Sequence, residues 1–150
     1  MLKSIHPLLN ADVLFALRSM GHGDYFVLCD GNFPGDSVAR QTALGRVIRL
    51  DGVGTTEAAR AILSVFPLDT GTTPAVRRME VMGQPAEIPV VQHEMQAEID
   101  RAEGRPTPMG SVERFAFYDV ARKAYCVIAT NERRFYGCFL FTKGVIAPQA

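Results

Sequence analysis

Short apolar runs bounded by turn residues alternate along this chain with stretches whose apolar side chains recur every three or four positions, and few architectures other than an α/β domain accommodate that alternation. The clearest run is Tyr25-Phe26-Val27-Leu28-Cys29, preceded by Gly21-His22-Gly23-Asp24 and followed by Asp30-Gly31-Asn32-Phe33-Pro34-Gly35-Asp36. Such a segment presents no polar face to water, so it is expected to be a buried central strand ending at Asp30, with residues 31–36 as a loop. Further strands are expected at Val47–Leu50, Val76–Met82, Tyr125–Ala129 and Cys138–Thr142. Between them the spacing predicts four helices. The first spans Asn10–Met20, buries Val13, Leu14, Leu17 and Met20, is capped by Asn10 or Asp12 and stops at Gly21. The second starts at Thr55 or Thr56, turns Ala59, Ile62, Leu63 and Phe66 inward and is closed by Pro67. The third runs from Pro89 to Gly104 with Val91, Met95, Ile99 and Ala102 on its inner face, and the fourth from a Ser111 cap to Arg122. Helices covering both faces of one sheet are the expected result.

A chain of 150 residues fits one domain with its own core, and 47% apolar with 21% charged residues is the composition of a folded protein. Sixteen basic residues balance sixteen acidic ones, so no net field draws the chain to nucleic acid or to an anionic membrane, and a neutral partner fits better. Cys29, Cys126 and Cys138 are odd in number and form no Cys-x-x-Cys pair, so reduced thiols are expected rather than a disulfide framework or a zinc site. The N-terminal residues hold no apolar run of signal-peptide length and no stretch is long enough to span a bilayer, so a cytoplasmic location is expected.

Ligands of open α/β sheets sit in crevices made by the loops at strand ends, which directs attention to residues 21–24 and 30–34. His22 stands between two glycines, where little neighbouring bulk hinders a ligand approaching the ring, although the same residues also read as an ordinary helix end. Asp30 reads either as a ligand-facing carboxylate or as an Asx turn. Gly52-Val53-Gly54 lacks the third glycine of a dinucleotide loop, no glycine-rich loop is followed by Gly-Lys-Ser/Thr, and there is no Gly-x-Ser-x-Gly elbow. His6, His22 and His93 lack metal-site spacing, so neither a metal nor a cofactor is expected. Glu113-Arg114-Phe115-Ala116-Phe117-Tyr118 fits an amphipathic helix with a packed aromatic side.

Taken together, Met20-Gly-His-Gly-Asp24, Asp30 with Asn32-Phe-Pro34, and Arg114-Phe-Ala-Phe-Tyr118 resemble the L-fucose mutarotase (FucU) family. Arg49-Leu-Asp-Gly52, Pro67-Leu-Asp69, Ala129-Thr130, Tyr136-Gly137 and Lys143-Gly-Val145 agree with it, whereas residues 70–112 align poorly. The related D-ribose pyranase (RbsD) family shares the histidine and aspartate spacing but usually lacks the Arg-Phe-x-Phe-Tyr block. The resemblance implies a single three-layer α/β/α domain over residues 1–150, assembled into a homo-oligomer with its pocket near a subunit boundary. It implies an isomerase interconverting the anomers of a free monosaccharide, most simply L-fucose, with His22 as the catalytic acid. Asp30, Arg114 and the Tyr136-Gly137-Cys138 turn would hold the sugar, and Cys138 stands where the family usually has asparagine.

Mutarotation opens a hemiacetal ring and recloses it on the other carbonyl face, which requires two proton transfers and no redox or covalent step. A histidine offers both protonation states near neutral pH, Arg114 is a fixed cationic donor, and Asp30 accepts from hydroxyls. Tyr136 is favoured over Tyr118 as the source of a second hydroxyl because it lies in the family's binding turn. The alternatives are pyranose–furanose interconversion of ribose and a non-catalytic sugar-binding module.

Overall fold

In the computed structural model, which describes residues 1–71 and 74–149, the chain runs α1 (Ala11–Ser19), β1 (Tyr25–Cys29), α2 (Gly35–Ala39), β2 (Val47–Leu50), α3 (Thr55–Leu63), β3 (Val76–Met79), α4 (Val90–Glu103), β4 (Gly110–Val112), α5 (Arg114–Arg122), β5 (Cys126–Thr130) and β6 (Phe139–Thr142). The strands form one sheet in the order β2-β5-β1-β6-β3-β4. β6 runs antiparallel to both its neighbours, β1 and β3, while β1–β5, β2–β5 and β3–β4 are parallel.

The expected burial of β1 holds for Phe26 through Cys29, and its side chains alternate between two cores. Phe26 and Leu28 join Val13 and Leu17 of α1, Ala58 and Ile62 of α3, and Met95 and Ile99 of α4. Val27 and Cys29 join Val38 and Ala39 of α2 and Phe117 and Ala121 of α5. The result is the expected three-layer α/β/α arrangement. Phe26 lies directly opposite Phe141 in the β1–β6 register, and their rings stack with centroids 5.0 Å apart and an interplanar angle of 4°, while Phe66 meets Phe26 edge-on at 5.1 Å. The antiparallel register thus brings two of the largest buried side chains together at the centre of the sheet.

Local signals set several boundaries where expected. The Asn10 side chain accepts from the Val13 amide at 3.0 Å, capping α1. α4 ends at Gly104 with φ 67°, a left-handed conformation that glycine adopts without steric cost. Elsewhere tertiary packing overrides the sequence pattern. Residues 35–39 form α2 rather than extending the loop, because Val38 and Ala39 have an apolar face to cover. Ser111 does not cap a helix: it lies in edge strand β4, and Glu113 caps α5 by accepting from the Phe115 and Ala116 amides. β3 stops at Met79 rather than Met82, and Ala102 of α4 is exposed while Gln92 and Glu98 are buried.

The loop from β5 to β6 is fixed by Glu132, whose side chain is 6% exposed. Its Oε1 accepts from the Arg134 amide at 3.0 Å and from Arg134 Nε at 2.9 Å, and Arg134 Nη1 reaches Glu94 of α4 at 2.8 Å. The Arg134 guanidinium, with help from the Thr55 amide at the start of α3, holds the Glu132 carboxyl down to about 2 from an ordinary 4.5. A carboxylate with a depressed folded-state pKa stabilises the fold fully above its unfolded value and loses that contribution as pH falls toward its folded value. Wild type is therefore expected to be more stable than Glu132→Gln at neutral pH, with the gap closing between pH 4.5 and about 2. Denaturant midpoints measured across that range check this, and a gap independent of pH would contradict it.

Candidate functional site

Because β6 is antiparallel to β1, the C-terminal end of β1 meets the N-terminal end of β6, and Asp30 and the Tyr136-Gly137-Cys138 turn come together there. Asp30 is 5% exposed, and both carboxylate oxygens are used. Oδ1 accepts from the amides of Asn32 at 3.0 Å and Phe33 at 3.1 Å, so the Asx-turn reading of Asp30 is correct as far as it goes. Oδ2 accepts from the Gly137 amide at 3.1 Å and from Cys138 Sγ at 3.4 Å. One carboxylate therefore holds its own loop with one oxygen and the turn before β6 with the other.

Tyr136 adopts φ 61°, a left-handed conformation uncommon for a residue with a side chain. That kink aims the Gly137 amide at Asp30, and a Cβ at Gly137 would sit tightly against Glu132 at 3.0 Å and against Asp30 and Thr55 at 3.4 Å. The Cys138 thiol is pushed well above its ordinary pKa, first by burial and then by the charge of Asp30, so it remains a neutral S–H donor.

These groups open onto a cleft of about 300 Å³ lined also by Asn32, Phe33, Met79, Arg114, Tyr118 and Phe135. Arg114 and Tyr118 come from the first two turns of α5, and the Tyr118 ring stacks on Phe33 with centroids 5.5 Å apart. Hydrogen bonding to Tyr118 is the main reason the Arg114 guanidinium holds its proton even more firmly than usual, with Tyr136 also contributing. Of the residues singled out from the sequence, Asp30, Arg114, Tyr118, Tyr136 and Cys138 line the cleft, and Gly137 joins them through its amide. Asn32 and Phe33 belong to the Asp30 loop motif, and nothing local in the sequence marks a role for either. Met79 and Phe135 were missed, since a strand-end methionine and an exposed loop phenylalanine carry no local signal of a site. One carboxylate, one guanidinium, two phenols and an apolar wall suit a small neutral molecule bearing several hydroxyls.

His22 lies apart from these residues. It sits in the turn before β1, whereas Asp30 follows β1, so the strand's five residues, roughly 17 Å at about 3.3 Å per residue, separate them within one chain. The His22 side chain is 59% exposed, and its Nε2 lies 3.4 Å from Oδ2 of the largely buried Asp69. Among the described residues, no three His, Cys, Asp or Glu side chains gather as metal ligands, and no helix is long and apolar enough to cross a membrane.

The sequence profile of the RbsD / FucU transport protein family matches residues 3–146. The chain is 41% identical to the fucose mutarotase of Danio rerio, with 99% of this chain and 96% of that protein aligned. Its structure is similar to the crystal structure of protein Atu2016, with a TM-score of 0.96 and 62% identity over 98% of this chain and 97% of the other. It is also similar to the fucose mutarotase of Streptococcus pneumoniae solved in complex with L-fucose, with a TM-score of 0.86 and 32% identity over 97% and 100% of the two chains. A near-complete profile match and relatives this similar along their full length place the chain in the RbsD / FucU family.

Proposed function

We propose that this chain is a cytoplasmic sugar mutarotase that interconverts the α and β anomers of L-fucose by acid–base ring opening and closure. The observation that carries this reading is the cleft itself. It sets the Asp30 carboxylate, the Arg114 guanidinium and the Tyr118 and Tyr136 hydroxyls around one small space, in a chain whose relatives at 37–41% identity over nearly their full length are fucose mutarotases.

The roles follow from the chemistry. The apolar wall of Phe33 and Met79 can cover a carbon face of the sugar while polar groups take its hydroxyls. Arg114 remains protonated and donates to sugar oxygens without entering proton transfer. Asp30 already accepts from four protein donors, about the full lone-pair capacity of a carboxylate, so it is held rigidly and acts on the sugar hydroxyls chiefly through its charge. Tyr136 supplies a hydroxyl near the anomeric centre. As the ring opens, His22 protonates the ring oxygen while the anomeric hydroxyl proton passes to solvent water, and both transfers reverse as the ring recloses on the other face.

His22 cannot serve the cleft of its own chain across the length of β1. We propose that it serves the cleft of a second copy in a homo-oligomer. Each chain then offers a cleft at one end of β1 and a histidine at the other, a head-to-tail arrangement in which two different surfaces of identical chains meet.

Saturation-transfer NMR on the anomeric protons of L-fucose tests the activity directly. Exchange between the anomers is expected to rise with added protein, while ribose and galactose exchange more slowly. An unchanged rate for every sugar would contradict the assignment. His22→Asn is expected to leave fucose affinity within a few-fold and to lower exchange by about 10²–10⁴, the usual contribution of general acid–base catalysis.

Cys138 supplies a more specific test, because its thiol lines the cleft and is a weak hydrogen-bonding group. In Cys138→Asn the amide can still donate to Asp30 while its carbonyl faces the sugar. A gained hydrogen bond of about 0.5–1.5 kcal/mol corresponds to roughly 2–12-fold faster fucose exchange at low sugar concentration. If the cleft is instead shaped for a sugar lacking the matching hydroxyl, fucose gains nothing and the better substrate loses rate.

A further inference from the structure

Gln92, in the first turn of α4, has no exposed surface, which is rare for glutamine. Its Nε2 donates to two carbonyl oxygens, that of Met79 at 2.7 Å and that of Tyr136 at 3.0 Å, and its Oε1 accepts from Arg78 Nη1 at 3.1 Å. Arg78 is only 8% exposed, and its other donors reach the carbonyls of Pro85 at 2.8 Å and Glu87 at 3.4 Å. All these acceptors are neutral, so a buried cation is held by carbonyl and amide dipoles, an arrangement costly enough to call for a reason beyond packing α4 on β3.

The groups it grips supply that reason. Met79 and Tyr136 line the cleft, and the gripped segment at Pro85 and Glu87 continues back to Met82. The Met82 amide donates to Tyr136 Oη at 3.3 Å, and Met82 Sδ lies 3.5 Å from Arg114 Nη1. Tyr136 is thus held at both ends, its carbonyl by Gln92 and its hydroxyl by Met82, while its backbone keeps the strained φ of 61° that delivers the Gly137 amide to Asp30. Loss of the Gln92 bond frees the carbonyl end of that kink.

We infer that Arg78 and Gln92 form a positioning clamp that locks Tyr136 and the Gly137 amide into the geometry the cleft needs to bind its sugar. This rests on the reading of the cleft as the sugar site.

Gln92→Glu tests the clamp in the full-length protein, because it keeps the side-chain shape and the acceptor for Arg78 but removes both N–H donors. Amide hydrogen exchange without sugar is expected to show Gly137 exchanging about tenfold faster, as for one lost hydrogen bond, with the β1 and β5 amides unchanged. With L-fucose, the half-saturating concentration is expected to rise about tenfold while the maximal exchange rate stays within about threefold. Arg78→Lys, which keeps the charge but not the fork that spans the carbonyls, is expected to show the same pattern and carries the test if Gln92→Glu does not fold. Unaltered Gly137 protection in the folded variants, or a loss confined to the maximal rate, would overturn the clamp. Faster Gly137 exchange in a protein whose unaltered form accelerates no sugar would support the clamp and overturn the mutarotase reading instead.

Discussion

The four hydrogen bonds of the Asp30 carboxylate hold the working end of this fold together. Two fix the loop that leaves β1 and two fix the turn that enters β6, so the end of one strand and the beginning of its antiparallel neighbour share a single buried anion. A buried carboxylate is tolerable only when its oxygens are satisfied, and here the donors are backbone amides and a neutral thiol rather than a cation. The charge therefore remains available to a ligand. Arg114, which could have paired with it, instead faces Tyr118, Tyr136 and Met82 across the cleft.

The rest of the molecule follows from that junction. The stacked Phe26 and Phe141 pin the β1–β6 register that brings Asp30 level with Gly137. The Glu132–Arg134–Glu94 chain ties the intervening loop to α4, and the buried glutamine at the start of α4 takes hold of Tyr136 from below. Sheet register, loop anchoring and the strained turn act in series. A change in any one of them is expected to reach the sugar through Tyr136 and Gly137.

Much of this was legible in the sequence, for identifiable reasons. β1 announced itself because five apolar residues stood between turn signals, and α1 because Asn10 preceded a helical repeat. Asp30 stood out because a buried strand opens into a loop there, whereas Arg114 and Tyr136 stood out through a family resemblance rather than through any local pattern. α2 and β4 were illegible because five and three residues are too few to display a period. The buried Gln92, Glu98 and Glu132 were illegible for a different reason: a polar side chain is buried only when partners meet it, and those partners lie at distances the sequence does not display, as with Arg60 meeting Glu98 from 38 residues away. The separation of His22 from Asp30 was in principle readable, since a strand between two residues places them at opposite ends of it.

That separation is the reason a complete site is proposed to draw on two copies of the chain. A site built from the cleft of one chain and His22 of the next can be restored by mixing two inactive proteins, His22→Asn and Arg114→Met, when each supplies the half the other lacks. Co-refolded in equal amounts and assayed for L-fucose anomer exchange, the mixture is expected to recover up to about a quarter of wild-type activity, because random head-to-tail neighbours pair two intact halves at one junction in about four. A mixture whose subunits have exchanged, yet whose activity equals the sum of the two inactive parents, would show that His22 and the cleft are not halves of one site.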